Sequence, residues 1–439
     1  MSERDIKSIT DTILGAAMAP EIVVTVSERS EGNLRFANDE PTTEGESETL
    51  EISITATIQG RSATAVGNRS DKDSLRSLVT EAEELAAMSP VDPEHMPPLG
   101  KVPLLQVKGH DPATAKLDAK QRLQRAEQAI AAGGRAGVTT AGFFSHHEDS
   151  FAVATSAGAF CYWPSTTASL SVTCRTGDGS GSGWAAALSH VGKQVEGKAV
   201  AELAAEKADM SREPQTLAPG KQLVILEAQA VGELLSFLID ALDARSADEG
   251  RSFFSHPDGG SLVGERLFDP RITLRSNPAD ARHPAQPFTV EGEAHKVVDW
   301  IAGGVVKNLA CSRFWADKSG TKPLPTPNSL HLEGSDTELL DLVRGVDRGV
   351  LVTRFWYNRV LERRRVLATG LTRDGTFLVE QGKITTAVKN FRYNDSPVTL
   401  LQNVLALGKP QRVAVGGRVM VVPPMVVRDF NFASSSDAI

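Results

Sequence analysis

Nine histidines, three cysteines and a scatter of carboxylates are the residues of this 439-residue chain that could carry chemistry. The histidines, at 95, 110, 146, 147, 190, 256, 283, 295 and 331, form no H-E-x-x-H or H-x-H pattern, and no C-x-x-C exists. A metal site built from a local motif is therefore not encoded. His146-His147-Glu148 lies between two predicted strands. Adjacent strand residues point to opposite faces, so its imidazoles cannot converge, and the triplet reads as a polar hairpin end. Gly177–Gly183 alternates glycine with Asp and Ser but lacks the Lys-Ser/Thr of a phosphate loop, and no helix opens after it. It reads as a hairpin tip or flap. No serine sits in G-x-S-x-G. Asp240, Asp243, Glu249 and His256 gather around one helix end and could serve as general bases, though an exposed helix end is the plainer account. The run Arg359–Arg365 reads as a solvated turn between strands or a patch for a partner. Cys161, Cys174 and Cys311 are too few for a disulfide framework. Cys161 and Cys174 could oppose each other across a hairpin, but three buried free thiols in a reducing cytoplasm is the expectation.

Two of those carboxylates belong to a predicted helix, Val231–Arg245. Val231, Leu234, Leu235, Leu238, Ile239 and Leu242 fall on one face at the i, i+3, i+4, i+7 spacing of a core helix. Ser236, Asp240 and Asp243 lie off that stripe. A loop follows with Gly250, Gly259, Gly260, Gly264 and a Phe253-Phe254 anchor.

The elements around it divide the chain in two. A first helix is expected over 2–18, then strands over Glu21–Ser27, Asn33–Ala37, Thr49–Gln59 and Ser62–Gly67. Leu50, Ile52, Ile54, Ala56 and Ile58 alternate with polar residues, which marks a sheet with one wet face. Ser70 should cap a helix with core face Leu75, Leu78, Val79, Ala82, Leu85 and Ala86. Residues 89–110 are proline-rich and make a linker or extended wrap. Asp111-Pro112 should open a helix ending at Gly133-Gly134. Strands over 136–145, 150–156, 159–175 and 184–188 and a helix over 193–210 complete an N-terminal α+β domain, 1–215, with its helices on one face. The second domain, 216–439, is strand-rich with few helices, and the class is α+β. Within it, Arg373-Asp374-Gly375 and Glu380-Gln381-Gly382 read as tight hairpin turns. Ser396-Pro397 opens a short helix, and the tail from Ser434 to Ile439 should fray.

A net charge of -8 argues against a general nucleic-acid binder and against an anionic membrane surface. The first twenty residues lack the basic and apolar regions of a signal peptide, and no run reaches the ~20 apolar residues of a membrane span. The expected location is the cytoplasm.

Polar density between apolar strands sets the second half apart. LVTRFWY (351–357), TGLTRDGTFLVEQGKI (369–384) and VKNFRYNDSP (388–397) interleave Thr, Arg and Asn with aromatics. Strand edges of this kind can pair with an extended peptide. Thr353, Arg354, Tyr357, Thr372, Arg373, Asp374 and Asn390 are the substrate-binding candidates.

These stretches resemble the C-terminal half of the TldD/PmbA (TldE) family, described as modulators of DNA gyrase and as a cytoplasmic peptidase system. The loop GRSFFS (250–255) with GGSLVGERLFDPRIT (259–273) is similar to the loop of that family. In TldD-type members the resemblance implies a zinc site. Two histidines and a glutamate come from an H-E-x-x-x-H helix before this loop, and a cysteine from near the C-terminus. Counting back from Ser252 places that pattern at Ser236–Ala241, which holds neither His nor Glu, and 416–439 holds no Cys. A zinc hydrolase needs three protein ligands and an open water position. The resemblance thus implies a TldE/PmbA-like, non-catalytic subunit without a metal or cofactor of its own. Its partner would be a TldD-like zinc metallopeptidase subunit, in a hetero- or homodimer acting on unfolded or extended peptides. The alternatives are a stand-alone family hydrolase or peptide-processing pathway enzyme, with Asp240, Asp243, Glu249 and His256 as its groups, and a homodimeric binding module.

Overall fold

Ile22, Val24, Val26, Leu34 and Phe36 all turn one way along a single long strand, β1 (Glu21–Ala37). The computed structural model describes residues 1–436 and carries this strand through the break expected after Ser27. Its partner β2 (Glu40–Ile58) likewise starts well before Thr49, pairing from Glu21↔Thr57 to Ala37↔Glu40. The stretch 40–48 shows no apolar alternation because it is largely solvated, so main-chain pairing alone makes it a strand. β3 (Arg61–Gly67), β4 (Val138–Thr155), β5 (Phe160–Thr176) and β6 (Ser182–Ser189) complete an antiparallel sheet in the order β3-β2-β1-β4-β5-β6.

β4 runs unbroken through His146-His147-Glu148, so this triplet is mid-strand and not a hairpin end. Cys161 and Cys174 share β5, opposite Val153 and Thr140, and do not face each other; all three cysteines are free and buried.

α1 (Glu3–Ala16), α2 (Lys72–Met88), α3 (Pro112–Ala115), α4 (Ala119–Ala136) and α5 (Gly197–Met210) accompany this sheet. Asp71, not Ser70, caps α2 by accepting the Ser74 N–H. The helix expected from Asp111 breaks at Lys116, because Asp118 offers a second capping box with Gln121. Gly133 and Gly134 stay helical, and Gly137 in the left-handed region ends α4. A Cβ on Gly133 would sit 2.1 Å from Thr140 Cγ2, so this glycine permits the close helix–sheet approach. Two cores result on the same face: α1 and α2 over Val24, Ile54 and Ala154, and α4 and α5 over Phe36, Phe144 and Leu170. On the other face Val23, Phe151, Val153 and Trp163 meet Leu104 of the proline-rich segment and Phe288 of the second half.

The second half opens with β7 (Gly220–Leu226), α6 (Ala228–Ala241), α7 (Ala244–Asp248), β8 (Leu274–Ser276), β9 (Val298–Ala302), β10 (Val305–Val306) and α8 (Arg313–Ser319). It continues with β11 (Leu330–Leu332), α9 (Leu339–Arg344), β12 (Arg348–Glu362), β13 (Leu367–Glu380), β14 (Lys383–Ala387), β15 (Phe391–Asp395) and α10 (Pro397–Gln402). β16 (Val404–Leu407), β17 (Gln411–Val415), β18 (Arg418–Val422) and β19 (Met425–Ser435) close it. Ser434 and Ser435 thus belong to β19; residues 437–439 of the predicted tail lie outside the described residues.

One sheet runs β10-β9-β8-β11-β18-β17. The other runs β12-β7-β19-β15-β13-β14 and closes on itself, because β12 also pairs with β13. Arg373-Asp374-Gly375 is not a turn: it lies inside β13, where Asp374 (φ 54°) and Gly375 (φ 134°) form a bulge against β12. The Gln381-Gly382 turn is present (φ 50° and 74°). α6 lies between ring and sheet, its apolar face meeting Val352, Phe355, Val413 and Met420 in one core. It ends at Ala241, with Leu242 as its C-cap, rather than at Arg245, because Asp243 leaves the helix to cap α7 through the Ser246 N–H. Among the described residues no helix is long and apolar enough to cross a membrane.

Candidate functional site

Glu233 is the one ionised side-chain type buried on α6, 6 % exposed among leucines. Its carboxylate accepts the backbone N–H of Phe355 on β12, and Gln229 donates to it at 2.9 Å. Burial pushes its carboxyl up to about 7, against the pull of Gln229, Arg354 and the Phe355 N–H. Sequence reading missed Glu233, which lies on the same helix three residues before the Ser236–Ala241 stretch counted back from Ser252. The available signal was a lone carboxylate inside an apolar helix.

Ser236 and Ala241, where the resemblance puts the two histidines, offer no zinc ligand: Ser236 Oγ donates to the Glu233 carbonyl at 2.8 Å and Ala241 ends in a methyl, and the neighbouring helix positions do not fit a zinc ion either. Gly232 faces β17, where a Cβ would already sit 2.7 Å from Val413 Cγ2. Phe237 lines a cavity of about 200 Å³ with Asp240, Ser252 and Arg363. Among the described residues no group of three or more His, Cys, Asp or Glu is placed to hold a metal ion.

The strand candidates do come together, as a patch behind and beside Glu233. The β13 bulge turns the Asp374 carboxylate inward, where it accepts Ser182 Oγ of β6 at 2.6 Å and faces Arg354 Nη1 at 3.5 Å. Arg354 is flanked by two indoles, 4.1 Å from the Trp184 centroid and 5.2 Å from that of Trp356. Desolvation lowers its guanidinium from the ordinary value, and its Nε has no hydrogen-bond partner among the described residues. Thr353 Oγ1 lies within hydrogen-bond distance of the Arg373, Asp374 and Gly375 carbonyls, closest to Gly375 at 3.1 Å. Thr372 Oγ1 donates to Asn390 Oδ1 and accepts the Phe391 N–H at 2.9 Å. These buried residues brace the patch. Its open rim is made by Trp356, 46 % exposed, by Tyr357, 62 % exposed with φ 58°, and by Arg373 over the Trp356 ring. A cavity of about 290 Å³ opens beside it, lined by Ser180, Ser182, Asp374 and Asn390. Sequence reading missed Ser182 and Trp184, which come from the other half of the chain.

The general-base candidates are spread over separate jobs. Asp240 pairs with Arg418 at 3.1 Å, Asp243 caps α7, and Glu249 is held by Arg245 and Arg251. His256 is half-buried, its Nδ1 accepting the Asp258 N–H.

Family models describe two consecutive segments: residues 110–212 match the PmbA/TldA metallopeptidase central domain and 219–434 its C-terminal domain. Among curated proteins none matches. Solved structures share the fold. TldE from Thermococcus kodakarensis superposes with a TM-score of 0.86 at 15% identity, covering 98% of this chain and 100% of its own. A proposed modulator of a DNA gyrase from Thermotoga maritima gives 0.84 at 17% identity, over 98% and 100% of the two chains. A proposed modulator of DNA gyrase from Bacteroides thetaiotaomicron gives 0.83 at 20% identity, over 99% and 98%. Two adjoining family domains, found over a strand-rich C-terminal half and the sheet before it, place this chain in the PmbA/TldD family.

Proposed function

We propose that the chain is a TldE/PmbA-like, non-catalytic subunit of a cytoplasmic TldD/TldE-type metalloprotease complex. A TldD-like partner holds the zinc, and this chain helps hold unfolded or extended peptides. The observation that carries the reading is α6. By the resemblance it stands where a zinc-binding helix would be, yet it carries no histidine, Gly232 has no room for an imidazole, and its buried carboxylate, Glu233, accepts the Phe355 N–H. The likeness to TldE in fold supports it. The rim of Trp356, Tyr357 and Arg373 offers aromatic faces and a cation on and beside the part of β12 beyond Val352, where its pairing with β7 ends, which suits an extended main chain.

The test is reconstitution with a TldD-type protein. Peptidase activity should appear only in the mixture, with zinc bound by the partner. Trp356→Ala should weaken binding of a labelled unstructured peptide without lowering the melting temperature. Stoichiometric zinc retained by this chain alone, with chelator-sensitive peptidase activity, would sink the proposal.

A further inference from the structure

Two cavities of about 740 and 700 Å³ share Val290, Glu291, Ser312 and Arg313 as common walls. Together they form a groove between loops of the second half and the outer face of the N-terminal sheet at Val23, Thr25 and Thr55. Neither is lined by Glu233, Phe237 or the Arg354–Asp374 patch.

The walls carry groups that the fold leaves unanswered. His295 is only 9 % exposed, its ring makes no hydrogen bond among the described residues, and it lines the larger cavity. His283, 4 % exposed, uses Nε2 on the Leu330 carbonyl at 3.1 Å and leaves Nδ1 without a partner. Burial pushes both imidazoles down to about 4, so they line the groove as neutral rings. Glu293 is half-buried on the same wall, and its carboxylate makes no hydrogen bond or ion pair among the described residues. Burial and the neighbouring Glu291 carboxylate raise it, against the weaker pull of Arg313 and Lys296, neither of which pairs with it. Desolvating a carboxylate beside another, with no cation in contact, is a standing cost that an incoming cation removes. The arginines on these walls are already engaged, Arg313 with Glu291 at 3.4 Å and Arg418 with Asp240. Along the smaller cavity Glu94 is held by Arg245 and Glu21 by His95, so of its three carboxylates Asp92 is the one with no side-chain partner among the described residues.

We propose that this groove receives an extended peptide and that Glu293, beside Glu291 and the His295 ring, takes a cationic group of that peptide. The proposal rests on the peptide-holding reading above and adds a charge class to it. A lysine or arginine side chain and a free α-ammonium present the same chemistry.

The experiment is fluorescence anisotropy of labelled, unstructured ten-residue peptides with the full chain. The set contains a central Lys or a central Glu, each with a free or an acetylated N-terminus. The Lys peptides should bind about tenfold more tightly than the Glu peptides, the scale of one charge-assisted contact. Persistence of that preference after acetylation assigns the side chain; its loss assigns the α-ammonium. Glu293→Gln should abolish the cation preference, and Glu293→Asp should restore part of it, at unchanged melting temperature. Binding that responds to Trp356→Ala but ignores both peptide charge and Glu293→Gln overturns this inference and leaves the peptide-holding reading standing. Failure of the wild-type chain to bind any of the peptides overturns both.

Discussion

At the scale of single residues, Glu233 makes a prediction with a definite sign. Folded, its carboxyl titrates near 7; unfolded, it returns to its ordinary value of 4.5. Between those values the folded chain binds the extra proton. Its favourable contribution is therefore full below pH 4.5 and is lost as the pH rises through about 7. From pH 5 to pH 8 wild type should lose up to about 3 kcal/mol relative to Glu233→Gln, read as the change in their urea-unfolding difference. Parallel pH profiles for the two proteins would show that Glu233 is ionised freely in the fold. Gly232 predicts a second effect. An imidazole there must displace Val413, so Gly232→His should cost about 3 kcal/mol or more, a fall in Tm of roughly 6–12 °C. Phe237→His faces a cavity and should cost less. A Gly232→His protein that melts like wild type contradicts this steric account.

At the scale of elements, the outer half of the β1–β2 hairpin is tethered by a buried side chain in addition to its main-chain pairing. Arg122 of α4 is fully buried and reaches Glu44 and Glu46 of β2. The room for it comes from Gly32, whose Cβ would lie 2.3 Å from Arg122 Nη1 and 2.5 Å from His146 Cε1. Arg122→Ala should free this hairpin end. Amide exchange at 40–48 should accelerate far more than at 50–58, and uniform protection in the variant would refute the tether. The same elements show what the sequence could reveal. Where apolar residues alternate, as at Ile52–Ile58, the strand was legible. Where pairing is solvated, as at 40–48, or a strand passes through polar residues, as at 146–148, no local pattern marks it. Asp374-Gly375 misled for a different reason. Asp-Gly specifies only a positive φ, and a bulge satisfies that as well as a turn does. The patch on β12 and β13 was legible from its interleaved aromatics and polar residues. Glu233 was not, because helical periodicity marks an apolar face and gives a lone carboxylate on the same helix no pattern to be recognised by.

At the scale of the whole molecule, the candidate site belongs to neither half alone. Ser182 and Trp184 reach from the N-terminal sheet to Asp374 and Arg354 of the ring. This contact was beyond the sequence, since nothing local links residues so far apart in the chain. Arg354→Lys keeps a charge but loses the planar stacking on both indoles. It should raise cleavage by a nonspecific protease in the connecting segment 211–219 several-fold, with little change in secondary structure by circular dichroism. Unchanged cleavage would mean that the halves are held by other contacts.

The closed ring of the second half carries a consequence for how this protein is made. β7, its first strand, pairs with β19, its last, through Ile225↔Val426. Some two hundred residues separate these partners, so the barrel has no stable intermediate form while the chain is still emerging from the ribosome. The N-terminal sheet contains all its strands by Ser189 and can fold early. The ring must wait, with β12 and β13 exposed, until residues 425–435 arrive. A chain stopped after Gly417 should therefore hold a folded N-terminal sheet joined to a protease-sensitive remainder, and the finished protein should acquire its second half in one late step.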